Sequence, residues 1–280
     1  MPHTDIMPSW SPRIPPELYR PIMEYIFDKP TLQSLCLSSK IVQPDAERLL
    51  YRNFAEYGTS INILFLNTIA SNRRLAALVK EYRCWVYFQD NKSPAWKLLE
   101  SGLHNMVNLK SLDFVSAVVG TMRAELILHA PFQLEKLVWR CHSDQDVLEE
   151  ILVKQRNLKV LYLREDSYTT RLGRQFHAEA CPNLHTLAGN SYAIVDILPG
   201  RRVKEIGWEQ CRKTLFTGDS SVPQDKAKGF SSVKLLSFAP SIVRPSLRDI
   251  GAQNLQELEV LQLFGWFPEV RVPHSLILSP

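Results

Sequence analysis

From residue 109 onward one spacing of apolar positions recurs. Leu109-x-x-Leu112-x-Phe114 is followed by Leu134-x-x-Leu137-x-Trp139, Leu158-x-x-Leu161-x-Leu163 and Leu184-x-x-Leu187. Val203-x-x-Ile206-x-Trp208, Val233-x-x-Leu236-x-Phe238 and Leu258-x-x-Leu261-x-Leu263 continue the series. The copies start between 19 and 30 residues apart, and an asparagine precedes the first apolar position at Asn108, Asn157 and Asn183. Alternation by two at the end of each phrase predicts a β-strand with one face buried. Between phrases the period changes to that of a helix, over 144–155 with Val147, Leu148, Ile151 and Leu152, and over 170–180, 192–198 and 245–252. One strand and one helix per copy cannot bury their apolar faces alone. Stacked neighbours can, so the pattern predicts an α/β fold: a solenoid with a parallel sheet and outer helices. The longest interval contains 213–229, rich in Gly, Ser, Asp and Lys, which reads as an inserted loop. Upstream, 60–78 reads as linking helices and 82–88 as a β-rich run.

Residues 13–57 follow the helical period. Pro15-Pro16-Glu17 is a helix start signal, and Leu18, Ile22, Tyr25 and Ile26 fall on one face, although Pro21 removes a backbone donor inside that helix and predicts a kink or a displaced start. Pro30-Thr31 precedes Leu32, Leu35, Cys36 and Leu37, and Pro44-Asp45 precedes Ala46, Leu49, Leu50 and Phe54, giving two more short helices. A unit this small has apolar surface to spare, which the repeats or another protein must cover. The expected organisation is a lead over 1–12, a helical domain over 13–57, and linker helices with the repeat array over 58–280.

Two resemblances come from these residues. The phrases and their spacing resemble degenerate leucine-rich repeats, lacking the regular asparagine or cysteine after the strand. Ile14-Pro15-Pro16-Glu17-Leu18, then Ile22 and Ile26, Leu32-Gln33-Ser34-Leu35-Cys36-Leu37-Ser38-Ser39 and Arg48-Leu49-Leu50-Tyr51-Arg52 resemble the F-box, in the F-box-like form common in mushroom-forming fungi. That resemblance implies docking to the Skp adaptor of a cullin-containing ubiquitin ligase, with Ile14, Pro15, Leu18, Ile22, Leu32 and Leu35 on the contact positions. An aromatic residue often found after the second helix in that family is missing near 40–44, and Pro21 is a second departure.

Composition narrows the chemistry. Net charge is +4 and the basic residues are scattered, which points away from nucleic acid. The adjacent pairs Arg73-Arg74 and Arg201-Arg202 read as solvated corners. Five cysteines, none close to another, form neither a CxxC pair nor a secreted disulfide framework, and no apolar run is long enough for a membrane span. We therefore expect an intracellular protein, cytoplasmic or nuclear, with reduced thiols. Phosphate-binding, metalloprotease and nucleophile-elbow motifs are absent from the sequence, and we expect neither catalysis nor a cofactor. Gly218-Asp219-Ser220 has no Asp-x-x-His to serve it. His177, Cys181 and His185 have helical zinc-ligand spacing, but Pro182 ends any helix there, so a helix residue, a buried thiol and a strand residue are expected instead of a metal site.

The functional expectation is a substrate-recognition subunit: helices hold the Skp adaptor and its cullin scaffold, and repeats bind an unidentified target protein. The alternative is a leucine-rich-repeat scaffold without ligase association. In the strand phrases the residues between the inner positions face the open side of the sheet, and of these Lys136, Arg140, Tyr162 and Arg164 have the composition of a binding hot spot.

Overall fold

A computed structural model of the chain describes residues 15–56, 59–86, 93–116, 124–140, 145–163, 176–208, 228–238 and 252–262. Ile14, Arg164, Cys141, Cys211, Gly218-Asp219-Ser220, the lead, nearly all of 213–229 and all but the last residue of the helix expected over 245–252 lie outside the described residues. The chain divides into two compact units, Met1–Asn53 and Phe54–Pro280.

The first unit contains α1 (Pro16–Met23), α2 (Lys29–Ser38) and α3 (Gln43–Arg52), with α1 and α2 both packed on α3. Each helix has a proline among its first two residues, where the missing N–H has no partner to lose. Asp28 caps α2: its Oδ2 accepts from the Thr31 N–H at 2.8 Å, and hydrogen bonding first from the Thr31 side chain and then from this N–H holds the carboxyl below its ordinary value. α1 begins at the proline pair and continues across Pro21 before ending at Met23, so the start is not displaced. Met23, Leu32 and Ala46 are buried. Arg48 on α3 pairs with Glu24 at 3.1 Å and with Asp45 at 3.8 Å.

The chain then enters a nine-stranded sheet in sequential order: β1 (Asn53–Glu56), β2 (Glu81–Val86), β3 (Ser111–Ser116), β4 (Lys136–Arg140), β5 (Val160–Leu163), β6 (Thr186–Gly189), β7 (Glu205–Trp208), β8 (Leu235–Phe238) and β9 (Val260–Gln262). Every pair from β2 to β9 is parallel. Phe54, expected to close the third helix, lies in β1 instead, because α3 ends at Arg52.

The register puts the repeated phrase in step. Tyr82, Leu112, Leu137, Leu161, Leu187, Ile206, Leu236 and Leu261 form one column across the strands. Cys84, Phe114, Trp139, Leu163, Gly189, Trp208 and Phe238 form the next. Both columns are buried up to β8, and aromatic rings stack along the second, Phe114 on Trp139 with centroids 5.2 Å apart and Trp208 near Phe238 at 6.1 Å. β2 is therefore another copy of the phrase, Val79-x-x-Tyr82-x-Cys84, with tyrosine and cysteine where the others have leucine or a large aromatic. At β9 the column opens: Leu261 is 41% exposed, whereas its equivalents are almost wholly covered.

The connecting helices are α4 (Thr59–Ser71), α5 (Arg73–Ala76), α6 (Pro94–Asn105), α7 (Glu125–Leu128), α8 (Gln145–Lys154) and α9 (Ser191–Ile197), with 3-10 turns at Lys228–Ser232 and Ala252–Asn254. Packing runs from α4 to α6, α7 and α8 in turn. Buried faces follow the period of 3.6, for example Leu99 and Leu103 on α6 and Leu148, Ile151 and Leu152 on α8. The helix expected over 170–180 is not borne out where it is described: 177–181 turns instead, and Cys181 adopts φ 50° immediately before Pro182.

The recurrent asparagine has a role. Asn108 Nδ2 donates to the Ala77 carbonyl at 2.8 Å and Asn183 Nδ2 to the Arg156 carbonyl at 2.9 Å. Each thereby ties the start of one strand to the preceding repeat, satisfying a carbonyl that no helix or sheet bond reaches. Buried Gln155 does similar work, accepting from the Leu134 N–H at 2.7 Å and donating to the Phe132 carbonyl at 3.3 Å.

Candidate functional site

The residues expected to bind partners lie on two surfaces, one in each unit. In the first, Leu18 and Ile22 lie four residues apart on α1 and are about half exposed, at 48% and 49%. Pro15 is exposed and Leu35 partly so. Leu32 is not available: it is 4% exposed and belongs to the packing of α2. Further apolar side chains that the sequence reading did not select stand in solvent, Tyr25 at 81%, Phe27 at 88%, Leu37 at 89% and Ile41 at 68%. Helical period could not reveal the last of these, because it lies in a turn. Isolated apolar residues on a surface are ordinary, but six on a unit of three short helices are more than solvation favours.

In the second unit the open side of the sheet holds the residues between the core columns. Arg83 pairs there with Asp113 at 2.9 Å, and the Thr186 hydroxyl donates to Glu205 at 2.9 Å. Lys136 and Arg140 are partly exposed. Tyr162 is only 7% exposed and forms a buried cluster with Val138 and Ala188, its strand neighbours in register. The Arg140 guanidinium lies 5.0 Å from the Tyr162 ring centroid, within cation–π range. The middle row of this face is thus a second small core, and Tyr162 anchors Arg140 instead of presenting itself. Asn190, directly after β6, is buried, and its Oδ1 accepts from the Ala193 N–H at 2.8 Å, capping α9.

The zinc-like trio is not assembled. Cys181 is buried, its thiol 3.8 Å from the Leu152 carbonyl and pushed up to about 12 by desolvation, while His177 and His185 are exposed. Among the described residues no group of three or more His, Cys, Asp or Glu could hold a metal ion, and no helix is long and apolar enough to cross a membrane. A buried polar cluster elsewhere is structural. Asn62 on α4 accepts from the Tyr82 hydroxyl at 2.8 Å and donates to Cys84 Sγ at 3.1 Å, joining helix to strand through groups that desolvation keeps protonated.

Arg201 is a correction. Expected at a solvated corner, it is 6% exposed and donates to the carbonyls of Ala180 at 2.7 Å, His177 at 2.6 Å and Pro199 at 3.0 Å, and also to that of Ile197. The only sequence sign was its place just after the end of α9, where free carbonyls need donors. Comparison with protein-family models and with curated proteins finds no match to this chain.

Proposed function

We propose that this chain is a substrate-recognition subunit of a Skp/cullin-type ubiquitin ligase. In this reading the helices α1–α3 are an F-box-like head that docks the Skp adaptor, and the strands and helices after them are a leucine-rich-repeat-like solenoid that binds a target protein. The observation that supports it is the half-exposed pair Leu18 and Ile22 on α1, accompanied by Tyr25 and Phe27 in solvent. An apolar helix face of this kind suits a partner that supplies the missing half of a core. Such a subunit does no chemistry itself. It raises the effective concentration of a target lysine near a charged conjugating enzyme.

Affinity purification of the full chain from cells, followed by protein identification, tests the reading. The adaptor and a cullin should co-purify, and replacing Leu18 and Ile22 together by glutamate should remove both while the repeat array keeps its unfolding temperature. If neither protein accompanies the unaltered chain, the ligase assignment falls and a repeat scaffold takes its place.

A further inference from the structure

The residue that leads into each strand occupies one continuous column. Its backbone N–H donates to the carbonyl of the corresponding residue in the previous repeat: Lys110 to Lys80, Glu135 to Lys110, Lys159 to Glu135, His185 to Lys159, Lys204 to His185, Lys234 to Lys204 and Glu259 to Lys234, all at 2.7 to 2.9 Å. The middle of this column, Lys159, His185, Lys204 and Lys234, contains no acid. Glutamates close it at both ends, Glu135 pairing with Lys159 at 3.1 Å and Glu259 with Lys234 at 2.6 Å. Arg202, exposed beside Lys204, adds to the basic stretch. Lys204 and Arg202 enter no ion pair among the described residues; the nearby Glu205 accepts from the Thr186 hydroxyl and forms no ion pair with either of them among those residues.

Neighbouring positions in such a column stand about 4.8 Å apart, so Lys204 and Lys234 bring like charges together on adjacent strands, which is unfavourable. An anionic ligand removes that cost. The basic stretch spans three strand spacings, roughly 14 Å, the length of about four residues of extended peptide. A nucleic acid that neutralised several phosphates would run into the glutamates at either end. We propose that the edge of the sheet formed by Lys159, His185, Lys204 and Lys234 binds a short, extended acidic peptide segment. This holds whether or not the helical unit docks an adaptor.

Fluorescence anisotropy of the full chain at low salt, with labelled hexaglutamate, hexalysine and oligothymidylate as probes, tests it. Hexaglutamate should bind, lose affinity as salt rises, and raise the unfolding temperature of the protein. Lys204→Glu combined with Arg202→Glu should weaken it by about tenfold or more. Lys80→Glu, outside the glutamate boundary, should change it by less than about twofold, and Glu135→Lys should tighten it. If the double reversal lowers the unfolding temperature, Lys204→Gln is measured in its place and should still weaken binding. No binding of hexaglutamate, equal binding by the Lys204 variants, or tighter binding of oligothymidylate would each overturn the proposal.

Discussion

Arg201 Nε donates to the Ala180 carbonyl at 2.7 Å, across a turn and a whole helix of sequence. The same guanidinium reaches His177, Ile197 and Pro199, so one side chain fastens the turn before β6 to the end of α9. Guanidinium has the planar fan of donors this requires, and lysine does not. Arg201→Leu takes this donor from the buried carbonyl contacts at Ala180 and Ile197 and should lower stability by about 3 kcal/mol, with Arg201→Lys recovering little of it. Arg202→Ala, at an exposed neighbour, should stay within about 0.5 kcal/mol. Urea unfolding of the three variants measures this, and equal midpoints for the Arg201 and Arg202 variants would contradict the fastening role.

Two glycines should respond differently to the same change. A Cβ built on Gly189 would lie 2.5 Å from the Leu163 carbonyl oxygen and 3.1 Å from the Ala193 Cβ, in the buried column between β5 and α9. Neither backbone can retreat without breaking the register, so Gly189→Ala should cost about 3 kcal/mol. Gly200 has open space around it but a φ of 76°, so Gly200→Ala should cost only the left-handed penalty of about 1 kcal/mol. Thermal unfolding distinguishes the two, and a milder effect at Gly189 than at Gly200 would refute the packing argument.

Burial pushes the Cys84 thiol up from 9.0 to about 11, and Tyr82 beside it also rises, again chiefly through desolvation. Above pH 9 the unfolded chain gives up the thiol proton while the folded chain keeps it, so the folded state binds more protons and loses stability as pH rises. The contribution of Cys84 is complete below pH 9 and is lost progressively up to its folded value near 11. Urea midpoints at about pH 8 and about pH 10.5 should therefore fall less in Cys84→Ala than in the unaltered protein. Iodoacetamide labelling with peptide mapping should also modify partly exposed Cys36 before Cys84 or Cys181. Identical declines in the two proteins would remove Cys84 as the source.

What was legible in the sequence was what burial forces into a period. The column from Leu112 to Leu261 was readable because each strand must place the same side inward, and the helix starts were readable because proline is tolerated there. The copy at β2 escaped because Tyr82 and Cys84 do not look like leucines, and their compensation through Asn62 comes from a residue twenty positions earlier. Arg201 escaped because a charged pair looks solvated until the carbonyls around it are known. Leu32, a contact position by the family resemblance, and Tyr162, an open-face position by strand alternation, are both occupied by the protein's own packing, which neither signal registers.

Tyr162 and Arg140 separate packing from recognition on the open sheet face. The tyrosine is 7% exposed and closes the small core with Val138 and Ala188, so Tyr162→Ala should lower stability by about 3 kcal/mol through a cavity and lost ring contacts. Arg140 rests its guanidinium over that ring at 5.0 Å and remains partly exposed, as does Lys136 two residues earlier on the same strand face. If a target is read by this face, the charges are the accessible contacts and the tyrosine is their platform. Lys136→Glu with Arg140→Glu should release the proteins that co-purify through the repeats while the unfolding temperature moves little, because rim charges govern encounter more than folding. Tyr162→Phe keeps the ring and should retain both stability and partners. Loss of partners in Tyr162→Phe, or their retention in the double charge reversal, would move recognition away from Lys136 and Arg140.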